Sequence, residues 1–154
     1  MSVEIGDAAP DFTLKDPANN EVTLSSFRGA KNVVLVFHPF AFTGICEAEL
    51  CAVRDDLGRF EGADTRVFSI SCDARHTLKA WAEQQGFTFS LLSDFWPHGE
   101  VARAYGVFDE NLGCAVRTTF VIDKTGTVTA KFGTPDLATP RATEEYEKAL
   151  AALA

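Results

Sequence analysis

The chain has 154 residues, 46% hydrophobic and 23% charged, with 13 phenylalanines; that suits one packed domain over residues 1–154 and excludes disordered or collagen-like chains. Its formal net charge of −8 opposes binding to nucleic acid and to anionic lipid. The N-terminus shows no basic stretch followed by an apolar one, and the apolar run at residues 33–37 is far too short to span a bilayer, so a cytoplasmic protein is expected.

Residues 11–14 and 21–24 alternate polar and apolar around Pro17-Ala18-Asn19-Asn20, which predicts a β-hairpin. The β-branched and apolar run 33–37 predicts a strand buried on both faces. A loop, His38-Pro39-Phe40-Ala41-Phe42-Thr43-Gly44, follows it. A helix should start near Thr43, its N-cap, because Cys46, Leu50, Val53, Leu57 and Phe60 recur at helical spacing up to Gly62. Glu47 and Glu49 place negative charge near the positive end of that helix.

Residues 65–71 predict a second buried strand. Residues 74–85 predict a helix with Leu78, Trp81 and Ala82 inward and Gly86 as its stop. A short strand at 89–92 and a short helix at 100–105 come next. Strands at 118–123 and 127–132 flank Lys124-Thr125-Gly126, a hairpin turn. Pro140 precedes a last helix through Leu153. Strands alternating with helices, then a late hairpin, imply an α/β protein. Its mixed central sheet is flanked by helices, in a thioredoxin-like fold with an N-terminal β-hairpin extension.

Cysteines stand at 46, 51, 72 and 114. Without an export signal they are expected as thiols. No Cys-x-x-Cys pair is present, so neither a zinc ribbon nor a thioredoxin-type dithiol is encoded. His38 and Cys46 match no recurrent zinc spacing, and no metal is expected. Cys46 stands out because it opens a helix directly after a strand and a proline-containing loop. Unpaired backbone N–H groups and the positive helix end favour a thiolate there, and the thiolate is the nucleophile. A buried small side chain heading a core stripe is the other reading of the same position.

Pro39-x-x-x-Thr43-x-x-Cys46 resembles the active-site motif of the peroxiredoxins. Ala9-Pro10-Asp11-Phe12-Thr13-Leu14 is similar to that family's opening, and Arg117, before residues 118–123, matches its active-site arginine. Residues 93–99 and 104–108 also fit, so the resemblance runs from Ala9 to about residue 132. Ala41-Phe42-Thr43-Gly44-Ile45-Cys46 and residues 93–99 are most similar to the AhpE-type one-cysteine branch.

The resemblance implies a thiol-dependent peroxidase without metal, haem, flavin or other cofactor. Cys46 attacks hydrogen peroxide, an organic hydroperoxide or peroxynitrite and becomes a sulfenic acid, which a small thiol or a thioredoxin- or glutaredoxin-like reductant recycles. Thr43 and the N–H groups near Cys46 are expected to hold the peroxide, Arg117 to face the sulfur and the leaving oxygen, and Pro39 to exclude water. Glu49 either orients an arginine of the site or stays solvated. A homodimer is expected, with an apolar patch drawn from Phe40, Phe42, Phe95, Trp96 and Phe108. The alternative is a peroxide-sensing relay or chaperone using the same cysteine.

Cys51 departs from the one-cysteine pattern. Cys-x-x-x-x-Cys resembles the PrxQ, or bacterioferritin comigratory protein, branch, where the second thiol resolves the sulfenic acid. On a helix Cys51 sits about 140° around from Cys46, so a bond between them requires the helix start to unwind. Cys51 as resolving thiol and Cys51 as bystander both stay open. Cys72 and Cys114 are further resolving candidates, although Cys72 is expected as a buried structural thiol and Cys114 as an exposed, uninvolved loop thiol. His38 is placed at the active-site loop or sheet edge, and Trp81 and Trp96 are read as packing residues.

Overall fold

The computed structural model describes residues 2–62, 64–134, 141 and 143–153. Seven strands form one mixed sheet in the order β2-β1-β5-β4-β3-β8-β9. β3 (Asn32–Phe37), β4 (Thr65–Ser71) and β5 (Ser90–Ser93) run parallel. β1 (Thr13–Lys15) and β2 (Glu21–Thr23) make the N-terminal hairpin. β8 (Thr118–Ile122) and β9 (Val128–Gly133) close the other edge antiparallel.

All six residues of β3 are buried because both faces of the sheet are covered. Val33, Leu35 and Phe37 meet the core formed with the N-terminal segment, α4 (Glu100–Ala104), Phe120 and Ile122. Val34 and Val36 meet the opposite core, under α1 (Gly44–Asp55), α2 (Leu57–Phe60), α3 (Arg75–Gln85) and α5 (Thr143–Ala151). Leu50, Leu78 and Trp81 are fully buried there, each stabilising the fold by about 2 kcal/mol from removed apolar surface.

Differences from the sequence expectation have local causes. The first hairpin is shorter, its strands lying at 13–15 and 21–23, and Asp16 accepts the Asn20 N–H at 2.8 Å across the turn between them. The helix from Thr43 breaks at Asp56 (φ −124°, ψ 32°). Phe60 nonetheless stays buried, so the stripe continues across the break. A small hairpin of β6 (Phe108–Asp109) and β7 (Cys114–Ala115) lies where a loop was expected. Its turn forms because Asp109 Oδ1 accepts the N–H groups of Asn111 and Leu112. Gly126 fits the β8–β9 turn at φ 86°, where a Cβ would press 2.6 Å from Arg28. Pro140 lies outside the described residues. Among the described residues, no helix is long and apolar enough to cross a membrane.

Candidate active site

The parallel strands β3 and β4 end side by side, and the loop after β3 carries the chain into α1. Such carboxyl ends of strands in an α/β sheet are where ligands usually bind. Two devices shape this loop. Asp73, just past β4, accepts the Ala41 N–H at 2.9 Å and the Ser71 hydroxyl at 2.7 Å. Phe42 adopts φ 63°, an unfavourable conformation for a bulky side chain. Its ring rests 6.1 Å from that of Trp81, which donates its indole N–H to Glu47 at 2.9 Å.

α1 begins at Gly44, so the N–H groups of Ile45 and Cys46 belong to the first turn, which has no intrahelical acceptor. Cys46 is fully buried on the inner face of that turn. Arg117, the residue before β8, is also buried, and its Nη1 lies 3.6 Å from the Cys46 sulfur. The same Nη1 pairs with Oε1 of Glu49. Glu49 is therefore turned into the site and is not a solvated first-turn carboxylate.

Arg141 completes the group, a residue that sequence reasoning missed. Its backbone N–H donates to Glu49 Oε2 at 2.7 Å, its Nε to the same oxygen at 3.0 Å, and its Nη2 to Oε1 at 2.9 Å. Its Nη1 donates to the Phe37 carbonyl at 2.8 Å and to Thr119 Oγ1 at 3.2 Å. Tyr146 of α5 shares a 2.8 Å hydrogen bond with that Thr119 hydroxyl. Burial opposes ionisation of Glu49, but the hydrogen bonds and charge of Arg141, with Arg117 behind, hold its carboxyl below the ordinary range. No motif around Arg141 marks it. Its distance in sequence from Glu49 hides a contact made only in three dimensions.

Thr43 is the N-cap residue of α1 but does not cap it with its side chain. Its hydroxyl instead donates to the Phe40 carbonyl at 2.8 Å, and Thr43 is exposed at the loop surface. Pro39 is buried in the loop. His38 is buried with neither ring nitrogen hydrogen-bonded, and its ring lies 5.5 Å from Trp81. Burial, then the positive charge of Arg141, pushes His38 down to about 3, so it is neutral near neutral pH. No group of three or more His, Cys, Asp or Glu residues among the described ones is arranged to hold a metal. A cavity of about 490 Å³ lies at the other end of β3, between Asn32, Asp123 and Leu150, remote from Cys46.

The other thiols separate clearly. Cys51 is half-buried on the intact α1 and donates to Gln85 Oε1 at 3.5 Å. Cys72 is buried, and burial, helped by Asp94, pushes its thiol up to about 12. Cys114 is not an exposed loop thiol. It lies fully buried in β7, because the small hairpin turns it inward, and burial followed by Asp109 pushes it up to about 11. Trp96 is not a packing residue either. It is 81% exposed, and Phe95 and Leu112 at 49% each and Phe42 at 48% are exposed as well.

The sequence profile of the AhpC/TSA family matches residues 5–131. Alkyl hydroperoxide reductase E of Mycobacterium tuberculosis is 56% identical over 126 residues, covering 82% of each chain. A chloroplastic peroxiredoxin Q of Sedum lineare is 39% identical over 124 residues, covering 80% of this chain and 65% of that one. The crystal structure of peroxidoxin BcpB from Mycobacterium tuberculosis superposes with a TM-score of 0.85 at 33% identity, covering 98% of this chain and 96% of that one.

Proposed function

The chain belongs to the AhpC/TSA family of peroxiredoxins and is a thiol-dependent peroxidase, and from that premise we propose that Cys46 is the attacking thiolate. The observation that carries this assignment is the 3.6 Å approach of the buried Arg117 guanidinium to the buried Cys46 sulfur.

Charge placement supports it. Arg117 and Arg141 bring two positive charges into the protein interior, and Glu49 supplies a negative charge between them. The thiolate is the attacking form of a cysteine, and the Cys46 sulfur faces the Arg117 end of this group.

In the reaction the Cys46 sulfur attacks one peroxide oxygen. The S–O bond forms as the O–O bond breaks, and the departing oxygen takes a proton and leaves as water or an alcohol. Cys46 is oxidised to the sulfenic acid. As negative charge passes from sulfur to the departing oxygen, the Arg117 guanidinium stays paired with it. The first-turn N–H groups of α1 receive the peroxide, and the Thr43 hydroxyl joins them by leaving the Phe40 carbonyl. Buried Pro39 keeps water from the sulfur.

A thiol reductant then displaces the sulfenic oxygen as water and forms a mixed disulfide, and a second thiol releases Cys46. An external reductant fits this reading, because α1 is intact from Gly44 to Asp55 and Cys51 is engaged with Gln85. The Cys51 route requires the first turns of α1 to open. The thiols fit a reducing compartment, the cytoplasm. The exposed Phe95, Trp96 and Leu112 suit the interface of a homodimer. Peroxide consumption with a small-thiol reductant, wild type against Cys46→Ser, tests the assignment.

A further inference from the structure

His98 lies between two loops that carry the exposed apolar edge. Its Nδ1 is 3.2 Å from the Phe95 carbonyl oxygen, and its Nε2 is 2.7 Å from the Gly113 carbonyl oxygen. A carbonyl oxygen only accepts. A neutral imidazole has one N–H and one lone pair, so it satisfies one of these carbonyls and sets its lone pair against the other. The imidazolium donates from both nitrogens. The ring is held in this position edge-on to Phe95 and Phe108, with centroids 6.2 and 5.9 Å away.

We propose that His98 is a proton-operated pin between the loop bearing Phe95 and Trp96 and the turn bearing Leu112 and Gly113. The imidazolium fastens both loops and the neutral ring fastens one. This gives the exposed apolar edge a pH-dependent shape. The Gly113 side of the pin leads directly through Cys114 and Ala115 toward Arg117.

Charged residues lie on the elements that flank the ring. Asp94, at the start of the same loop, accepts the N–H groups of Val101 and Ala102 and interacts electrostatically with His98. Glu100 opens α4, and Asp109 holds the β6–β7 turn. Arg103 of α4, the nearby cation, is engaged elsewhere. It pairs with Glu110, its guanidinium lies 3.9 Å over the Phe108 ring, and its Nε points at the His98 carbonyl rather than the imidazole.

The test is amide hydrogen exchange of wild type and His98→Gln from about pH 8 to about pH 5, corrected for intrinsic exchange. Glutamine keeps one donor toward Gly113 and does not titrate. The expected result is protection of residues 95–98 and 112–114 that rises about three- to tenfold in acid in the wild type only. An equal pH response in both proteins overturns the proposal. A second measurement covers a variant that does not fold. In an NMR titration of the wild type, the imidazole resonances of His98 and the Gly113 and Cys114 amides should move in one step. Proton uptake at His98 with these amides unmoved also overturns it. Neither readout depends on the chemistry at Cys46.

Discussion

One nitrogen of Arg117 serves both Cys46 and Glu49: Nη1 lies 3.6 Å from the sulfur and is also paired with the Glu49 carboxylate. Glu49 in turn is held by three hydrogen bonds from Arg141. The sulfur is therefore positioned against a guanidinium that cannot drift. Arg141 ties that arrangement to the Phe37 carbonyl at the end of β3 and, through Thr119, to Tyr146 of α5.

Glu49→Gln removes the anion between two buried arginines. The expected loss of stability is about 3–5 kcal/mol near neutral pH, the cost of breaking one partner out of a buried ionic group. The sign with pH follows from the lowered carboxyl of Glu49. Its ordinary value is 4.5, and its folded value is lower. Its ionic contribution is therefore complete above that ordinary value and fades as acid reaches the folded value. Urea unfolding at a series of pH values should show the wild-type advantage constant near neutrality and shrinking in acid.

Arg117→Met should lower the second-order rate of Cys46 oxidation by about 10²–10³-fold, the usual effect of losing one donor to developing charge. Arg117→Lys should recover only part of this. An ammonium keeps the charge but not the rigid planar guanidinium whose single Nη1 meets both Cys46 and Glu49. Stopped-flow mixing with peroxide measures both rates.

Cys72 and Cys114 should resist alkylation in the folded protein at about pH 8. Their burial and raised proton affinity both disfavour the thiolate. Peptide mapping after brief treatment with iodoacetamide should find neither labelled until the protein is unfolded.

Trp96→Glu places a charge on the exposed apolar loop, next to Phe95. Sedimentation velocity should show the wild type as a dimer and this variant shifted toward monomer. Its unfolding midpoint as a monomer should barely change, because Trp96 contributes little to the core at 81% exposure.

Much of this protein was legible from short-range pattern. β3 and β4 announce themselves as apolar runs, and Gly86 ends α3 in the left-handed conformation that a helix stop needs. Cys46 and Arg117 were marked by a motif and by position relative to a strand. What stayed hidden depended on contacts distant in sequence. Arg141 and Tyr146 lie in a C-terminal stretch with no distinguishing pattern, yet they hold Glu49 and Thr119. Cys114 looked like a loop thiol because two-residue strands carry no periodicity, and only the β6–β7 pairing turns it inward. Trp96 carries two readings in the sequence, packing and an apolar patch, and the loop turns it outward as the patch requires.

Attack by Cys46 is tested most directly by the intact mass of the reduced protein after one equivalent of peroxide, in wild type and Cys46→Ser, with and without a sulfenic-acid trap. The expected result is a fast gain of one oxygen, trappable and located on Cys46, absent from the variant, with Cys51 still a free thiol. A loss of two hydrogens mapped to a Cys46–Cys51 bond would contradict recycling by an external thiol and require α1 to open in each cycle. No fast change dependent on Cys46 would contradict the central assignment itself.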